Sequence, residues 1–478
     1  MEKNIMLHTN IVSIESIKTE ERLNPRYFRF LEKRNQLLNS SSIPFYQIGE
    51  ERITRRITDG EHQAINLFYE DEEQAEVRYL YVHNVKEGII DITDALFISM
   101  EDHERLKRSR LEKGNVLLTI VGTIGKSAMV YDYLCELSES NIPRNISKII
   151  VNERNMLPEF LVAFFLSRFG KEQSIYSSGG NIQGLLSLTK LRKMLVPIPD
   201  KDTQNEIGNI YIKALELETE ALELISQAKQ VFYENVDIDF SEFQKQKFFD
   251  TNSSELMSSN LWCPIYRYPL YVQIEDAVNS RWPIRKIGIL SEVKRGNEVG
   301  SANYHNFITK REDDVPFIRT SDIANYEVDL YPDYYVDNEI YDELNQDVKE
   351  GDILFSKDGK IGMTAIVTES DESIIASGIS RIRPKKKFIQ DERLTSEYVF
   401  LVLCLKETGY YPAIRRTVIA STIPHLREDR LKEIRIPLLE PHTMKTITNL
   451  VKTAFRLKEE KKCLIQKLKN ELSSLIGI

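Results

Sequence analysis

Long apolar runs are missing from this sequence. No window approaches the roughly 20 consecutive apolar residues of a membrane-spanning helix, and the opening MEKNIMLHTN carries no apolar signal core. Cysteine is scarce: Cys135, Cys263, Cys404 and Cys463 stand far apart with no C-x-x-C pair. That argues against a zinc site and against a secreted disulfide framework, and a reducing cytoplasm fits best. The seven histidines show no H-x-x-x-H or similar spacing, so neither metal hydrolysis nor a histidine-based triad has support. An excess of positive charge is missing too, with 64 Lys and Arg against 73 Asp and Glu and a net charge of -9. Footprints on nucleic acid are usually basic. Binding depends on local patches, however, so net charge is only a weak veto.

What is present is an ordinary globular composition, 41% hydrophobic and 29% charged over 478 residues. That length exceeds one core and predicts roughly two to four domains. The pattern that organises the chain is the series Ile207, Ile210, Ala214, Leu217, Ala221, Leu224, Ala228 and Val231. Its alternating spacings of three and four are the apolar seam of a coiled coil held for about four heptads. Most of the seam returns 240 residues later at Ile447, Leu450, Ala454, Leu457, Leu464 and Leu468, interrupted by Lys461 and Glu471. The chain therefore carries its own partner helix. Each helix would be roughly 40 Å long at 1.5 Å per residue, enough to hold two lobes about one DNA turn apart.

The lobes repeat with the helices. Lys113-Gly114-Asn115-Val116-Leu117-Leu118 and Gly122-Thr123-Ile124-Gly125 return as Glu350-Gly351-Asp352-Ile353-Leu354-Phe355 and Gly359-Lys360-Ile361-Gly362, all three glycines offset by 237. Leu191, Met194, Val196 and Pro197 return as Leu431, Ile434, Ile436 and Pro437 at 240. So nearly constant an offset over more than a hundred residues means a duplicated lobe-plus-helix unit. Strands are expected over 78–82, 88–92 and 116–121, and a helix over 158–168 whose stripe of Phe160, Leu161, Phe164 and Phe165 is core. The two prolines of Val196-Pro197-Ile198-Pro199 stop one element, and Asp200 or Asp202 can cap the next. The expected fold is mixed α/β: two similar lobes separated by two long antiparallel coiled-coil helices, with a pseudo-two-fold internal repeat. The boundaries are lobe 1–200, helix 201–236, lobe 237–438 and helix 439–478.

Two short motifs are set aside. Asn24-Pro25-Arg26-Tyr27 has an arginine where the Asn-Pro-Pro-Tyr of adenine methyltransferases has its second proline, and reads as a packing segment. Gly122-Thr123-Ile124-Gly125-Lys126-Ser127 ends like a phosphate loop, but Ile120 stands where the first glycine is required and the second copy lacks the Lys-Ser pair. It reads either as a glycine loop allowing close backbone approach to another surface or as a fold-defining hairpin turn.

With Phe317-Ile318-Arg319-Thr320-Ser321-Asp322-Ile323, the glycines at 351, 359 and 362, and Ile434-Arg435-Ile436-Pro437-Leu438 before the last helix, the chain resembles the specificity subunit of type I restriction-modification systems. Val196-Pro197-Ile198-Pro199 with Gln204, and Thr58-Asp59-Gly60-Glu61-His62, add to the likeness. The first lobe departs from it, with Tyr81-Val82-His83-Asn84 in place of Arg319-Thr320-Ser321-Asp322. The resemblance implies a non-catalytic subunit in which each lobe reads one half of a split double-stranded DNA target. The helices would set the spacer and dock two modification subunits. Those would bind S-adenosylmethionine and methylate adenine, and restriction subunits would bring ATP and Mg; this chain would bind no cofactor or metal. Alternatives are an equivalent specificity subunit of another methylation-based phage-defence system, or a coiled-coil scaffold that does not touch DNA.

Base readout needs Arg or Lys for phosphates and guanine, Asn or Gln for adenine, and Asp or Glu for cytosine. Loop-like stretches of the first lobe offer Arg55 and Arg56 with Asp59 and His62, Thr123 with Lys126, and Asn181 with Gln183. At matching places the second offers Lys294 and Arg295 with Asn297, Ser356 and Lys357 with Lys360, and Arg415 and Arg416 with Ser421 and His425.

Overall fold

The computed structural model describes residues 25–477, apart from 71, 134–136, 180–183, 258–261, 299, 301–302, 310–313, 330, 345 and 420–422. Its chain contacts divide it into two compact units, one of Met1–Asp91, Ala95–Leu215 and Cys463–Ile478, the other of Ile92–Asp94 and Glu216–Lys462. The division passes through both long helices instead of falling at their ends.

In the first unit, β1 (Phe45–Gln47) and β2 (Thr54–Asp59) precede β3 (Val116–Thr119), β4 (Ser127–Met129), β5 (Ile146–Val151) and β6 (Leu195–Pro197). Four of them form an antiparallel sheet in the order β2-β5-β3-β4. The expected strand over 116–121 ends at Thr119, and all four of its residues are buried, as an unbroken apolar run in a central strand should be. The expected strand over 78–82 is Val77–Tyr79. No strand forms over 88–92, because Gly88 at φ +83° turns the chain so that Ile90 bridges back to Val85. The expected helix runs over Pro158–Leu166 and buries Phe160, Leu161, Phe164 and Phe165 completely. Ser167 ends it and caps the next helix, Arg168–Ser177, by accepting from the Gly170 N–H. Pro25 opens a helix to Ser40 in which Tyr27 is buried, consistent with packing, while Asn24 lies outside the described residues.

The second unit repeats this sheet. Its strands β7 (Ile284–Lys286), β8 (Ser291–Arg295), β9 (Ile353–Ser356), β10 (Thr364–Ile366), β11 (Ile379–Pro384) and β12 (Arg435–Pro437) include the antiparallel order β8-β11-β9-β10. The registers correspond pair by pair: Val116 opposite Ile149 and Met129 in one sheet, Ile353 opposite Ile382 and Ile366 in the other. Likewise Phe45 faces Pro197 and Ile284 faces Pro437. The duplication thus extends from sequence to hydrogen-bond register.

The central helix (Lys201–Asn235) and the C-terminal helix (Pro441–Ile476) are 35 and 36 residues long. Asp200 caps the first, accepting from the Thr203 N–H at 2.9 Å, and those bonds hold its carboxyl below the usual carboxylate range. The helices run antiparallel: in the second unit Thr443 bonds Asn235 while Lys458 bonds Glu218, and in the first Tyr211 and Ile465 both lie against Gly88.

The seam itself requires a correction. Ile207, Ala214, Leu217, Ala221 and Ala228 are buried, but Ile210, Leu224 and Val231 are only half-buried flanks. The buried periodic positions are Ile207, Tyr211, Ala214, Glu218, Ala221, Ile225, Ala228, Phe232 and Val236. Each returns buried 240 residues later, at Ile447, Val451, Ala454, Lys458, Lys461, Ile465, Leu468, Leu472 and Ile476, while Leu450 and Leu464 are flanks and Leu457 is buried beside the seam. An apolar pattern missed this register because the seam contains a glutamate and two lysines whose burial depends on one another. Among the described residues no helix is long and apolar enough to cross a membrane.

Candidate nucleic-acid interface

In the first unit the register sets Thr58 opposite Lys148, Asp59 opposite Ser147 and Thr119 opposite Ile146, so β2 and β3 finish at the same end of the sheet. Just past β2, a Cβ on Gly60 would stand 2.1 Å from the Ile142 carbonyl oxygen and 2.5 Å from that of Pro143. Only glycine lets the chain pass so close. This crossing fixes Asp59, whose carboxylate pairs with Arg108 and with His62 Nε2 at 2.8 Å. His62 and Arg108 are half-exposed, and Asp59 is mostly covered by them. Beneath, Lys148 donates to the Arg108 and Arg110 carbonyl oxygens; burial pushes its ammonium down, against the pull of Glu112.

The β3–β4 connection at this end is Gly122-Thr123-Ile124-Gly125-Lys126. Gly122 and Gly125 take φ +82° and +94°, and the turn closes through Gly125 N–H to Thr119 O at 3.0 Å and Lys126 N–H to Thr119 Oγ1 at 3.0 Å. It is a hairpin turn and not the strand-to-helix turn of a phosphate loop; the Ser127 hydroxyl is buried and donates to Leu117 O at 2.8 Å. Gly122 N–H donates to Gly184 O at 3.2 Å, docking a second loop closed by the pair Gly179 and Leu185. Asn181 and Gln183 belong to that loop and lie outside the described residues. Thr123 and Lys126 are half-buried in the turn. Arg55 and Arg56 are exposed but stand at the other end of β2, where Arg56 faces Ile150, so they do not join this cluster.

The second unit builds the same edge with different side chains. Ser356 faces Ile379 and Arg295 faces Ser380. A Cβ on Gly296 would stand 2.2 Å from Ile375 O and 2.3 Å from Ala376 O, the counterpart of Gly60. The correspondence of the two glycines corrects the sequence reading: Lys294 and Arg295 occupy the places of Thr58 and Asp59, not those of Arg55 and Arg56. Both are exposed, as is Asn297. Gly359 and Gly362 have φ +69° and +95°, and the turn closes through Gly362 N–H to Ser356 O at 3.0 Å. Gly359 N–H donates to Pro424 O at 3.1 Å, and His425 Nδ1 pairs with Asp358. Lys360, exposed at the turn, pairs with Asp94.

Three residues expected on open loops are interior. Ser356 is fully buried, its hydroxyl donating to Lys360 O and accepting from Met363 N–H. Lys357 is 3% exposed, between Asp358 at 3.4 Å and Glu428 at 3.3 Å. Arg416 is 7% exposed, donating to Glu275 at 2.6 Å and Pro412 O at 2.9 Å. Arg415 also pairs with Glu275 and donates to Tyr266 O at 2.7 Å, so this dipeptide holds a helix in place instead of presenting charge. Ser421 lies outside the described residues. Sequence reasoning missed Arg108, 49 residues from Asp59 and with no local signal, and the buried cations Lys148 and Arg381, which face Thr58 and Lys294. Arg381 donates to Asp347 O at 3.1 Å, the counterpart of the Lys148 bond to Arg110 O. Among the described residues no group of three His, Cys, Asp or Glu is placed to hold a metal. What the two edges offer is hydrogen-bond donors and acceptors of the kind that read base edges and phosphates.

The chain is a duplicated mixed α/β unit with a long helix after each sheet, and part of it resembles known proteins. Residues 279–470, about two fifths of the chain, match the family described as Type I restriction modification DNA specificity domain. The chain is 28% identical over 131 residues to the Type I restriction enzyme EcoBI specificity subunit of Escherichia coli, a match covering 27% of each. It thus spans about a quarter of the length of that curated relative. Among solved structures, a Type-I restriction-modification system S subunit from M. genitalium covers 92% of this chain and 96% of its own, at 12% identity and TM-score 0.32. The HsdS subunit from Thermoanaerobacter tengcongensis covers 91% and 96%, at 14% identity and TM-score 0.28.

Proposed function

We propose that this chain is the DNA sequence-specificity subunit of a type I restriction-modification complex, each unit reading one half of a bipartite double-stranded target. The observation that carries this reading is the repeated sheet: one strand order, one register and one glycine turn, carrying Asp59, His62 and Arg108 at one edge and Lys294, Arg295 and Asn297 at the other. Constant backbone with changed side chains suits two different half-sites. Arg, Lys and Asn prefer guanine and adenine edges, and a carboxylate can accept from cytosine.

The helix pair sets the spacer and docks two modification subunits. Those bind S-adenosylmethionine and flip the target adenine, a step costing a few kcal/mol of unstacking; restriction subunits with ATP and Mg complete the endonuclease, in the cytoplasm. This chain contributes geometry and no catalytic group. Methylome sequencing of cells expressing the chain with its modification subunit, against the modification subunit alone, tests the reading. A methylated adenine in each half of a split motif, one half changing when residues 1–200 are exchanged for those of another such chain, is the expected result. No new methylation with an active modification subunit overturns it in favour of a scaffold. Removing one heptad from both helices shortens them by roughly 10 Å and should shorten the spacer by about three base pairs.

A further inference from the structure

Within the second unit the buried seam of the helix pair is charged. Glu218 and Lys458 are fully buried, and Lys458 Nζ donates to both Glu218 oxygens, at 3.0 and 2.9 Å. Lys461 Nζ reaches Glu218 at 2.7 Å and also pairs with Glu327, while Asn325 Nδ2 donates to Glu218 at 2.9 Å. Burial alone would raise the Glu218 carboxyl; the ammonium groups of Lys458 and Lys461 outweigh it and hold the group well below its ordinary range.

Positions 218 and 458 are also equivalents of the internal repeat, exactly one offset of 240 apart along the seam shared by the two helices. The antiparallel helices meet at equivalent positions at this point, where Glu218 faces Lys458; away from it they do not, and Tyr211 lies with Ile465, the equivalent of Ile225. If two central helices from two copies paired in the same way, Glu218 would face Glu218. If two C-terminal helices did, Lys458 would face Lys458. A buried like-charge pair has no solvent to screen it and is strongly disfavoured, whereas the remaining seam, apart from Lys461, consists of apolar side chains that would accept either partner.

We infer that Glu218 and Lys458 are partner-selecting residues: they make the central and C-terminal helices partners of each other and reject pairing between like helices of two copies of this chain. The inference rests on the seam alone and stands whatever the lobes bind.

The test uses full-length chains with two different tags. E218K alone and K458E alone each place like charges on the seam, and each should lose roughly 10 °C in Tm. The double variant E218K/K458E restores opposite charges within one chain and should recover at least half of that loss as a monomer. Co-expressed, the two single variants complement each other only between chains, because position 218 of each meets an opposite charge at position 458 of the other. Their co-purification should exceed that of two differently tagged wild-type chains by at least about tenfold. If a single variant does not accumulate alone, the co-expressed pair still decides the matter. A double variant no more stable than the singles, or crossed chains that co-purify no better than wild type, would overturn the assignment.

Discussion

The edges of the two sheets differ in what their charges do. At the first, Asp59 is tied between His62 and Arg108, so an acidic group sits under two basic ones. At the second, Lys294 and Arg295 occupy the strand positions of Thr58 and Asp59, with Lys294 paired to Glu292 two residues before it. The backbone below is the same in both: a glycine passing two carbonyl groups, and a second pair of glycines in the left-handed region. The comparison teaches that the positions the fold needs are backbone positions. The strand-end side chains are left open to vary, which is where a recognition protein can change its target without rebuilding its core.

Substitutions can break this comparison, the largest effects being expected in the interior. Arg416→Ala should cost roughly 2–3 kcal/mol, because buried Glu275 loses one of its two arginines and the Pro412 carbonyl loses its donor; Arg56→Ala, at an exposed strand position of the other unit, should stay within about 0.5 kcal/mol. Chemical denaturation of both variants checks the pair. Acid should act through Glu218. Against its burial, the ammonium groups of Lys458 and Lys461 hold its carboxyl well below its ordinary 4.5, so its contribution is full above pH 4.5 and is lost as pH falls through that depressed value. Comparing stability at pH 6 and pH 2.5 in wild type and E218Q should show the larger loss in wild type.

Next come the shared glycines. Gly60→Ala and Gly296→Ala should each cost roughly 2–3 kcal/mol, since the added Cβ has only backbone to push against. Gly351→Ala, strained at φ +83° but with the added Cβ meeting Ser396 Oγ at an ordinary 3.9 Å, should cost about 1–2 kcal/mol. Equal costs for Gly60 and Gly296 would sharpen the equivalence of the two edges, and unequal ones would break it. Arg295→Ala should relax one base position of one half-site by roughly 1–3 kcal/mol of discrimination and leave the other half unchanged, as read in the methylated motif. A smaller loss comes from a cap: Thr395 accepts from Tyr398 N–H at the start of the helix Ser396–Cys404, and Thr395→Ala should cost about 1 kcal/mol. Its counterpart Leu157 has no capping side chain, so a matching substitution there has no cap to lose.

Much of this was legible beforehand. The offsets of 237 and 240 reported a duplication because residues needed for backbone reasons, Gly122 and Gly125 with Gly359 and Gly362, recur as themselves. The buried strand at Val116 and the apolar helix at Pro158 were legible because burial on both faces leaves a run with no polar positions. The register of the strand-end charges was not. Arg55-Arg56 and Lys294-Arg295 look alike as dipeptides, yet the glycines at 60 and 296 set the alignment three residues away. Nor could the sequence place Arg416 inside, because Glu275 lies 141 residues earlier.

By itself, then, the sequence determined the repeat, the two long helices and the secondary structure around each glycine turn, since these follow from local periodicity and from conformations that only glycine tolerates easily. Tertiary structure alone decided which of the charged residues are surface and which are seam or core. A charge is buried where distant partners are brought to it, as Lys458 and Lys461 are to Glu218 and the Arg108 and Arg110 carbonyl oxygens to Lys148, and no local pattern records that meeting.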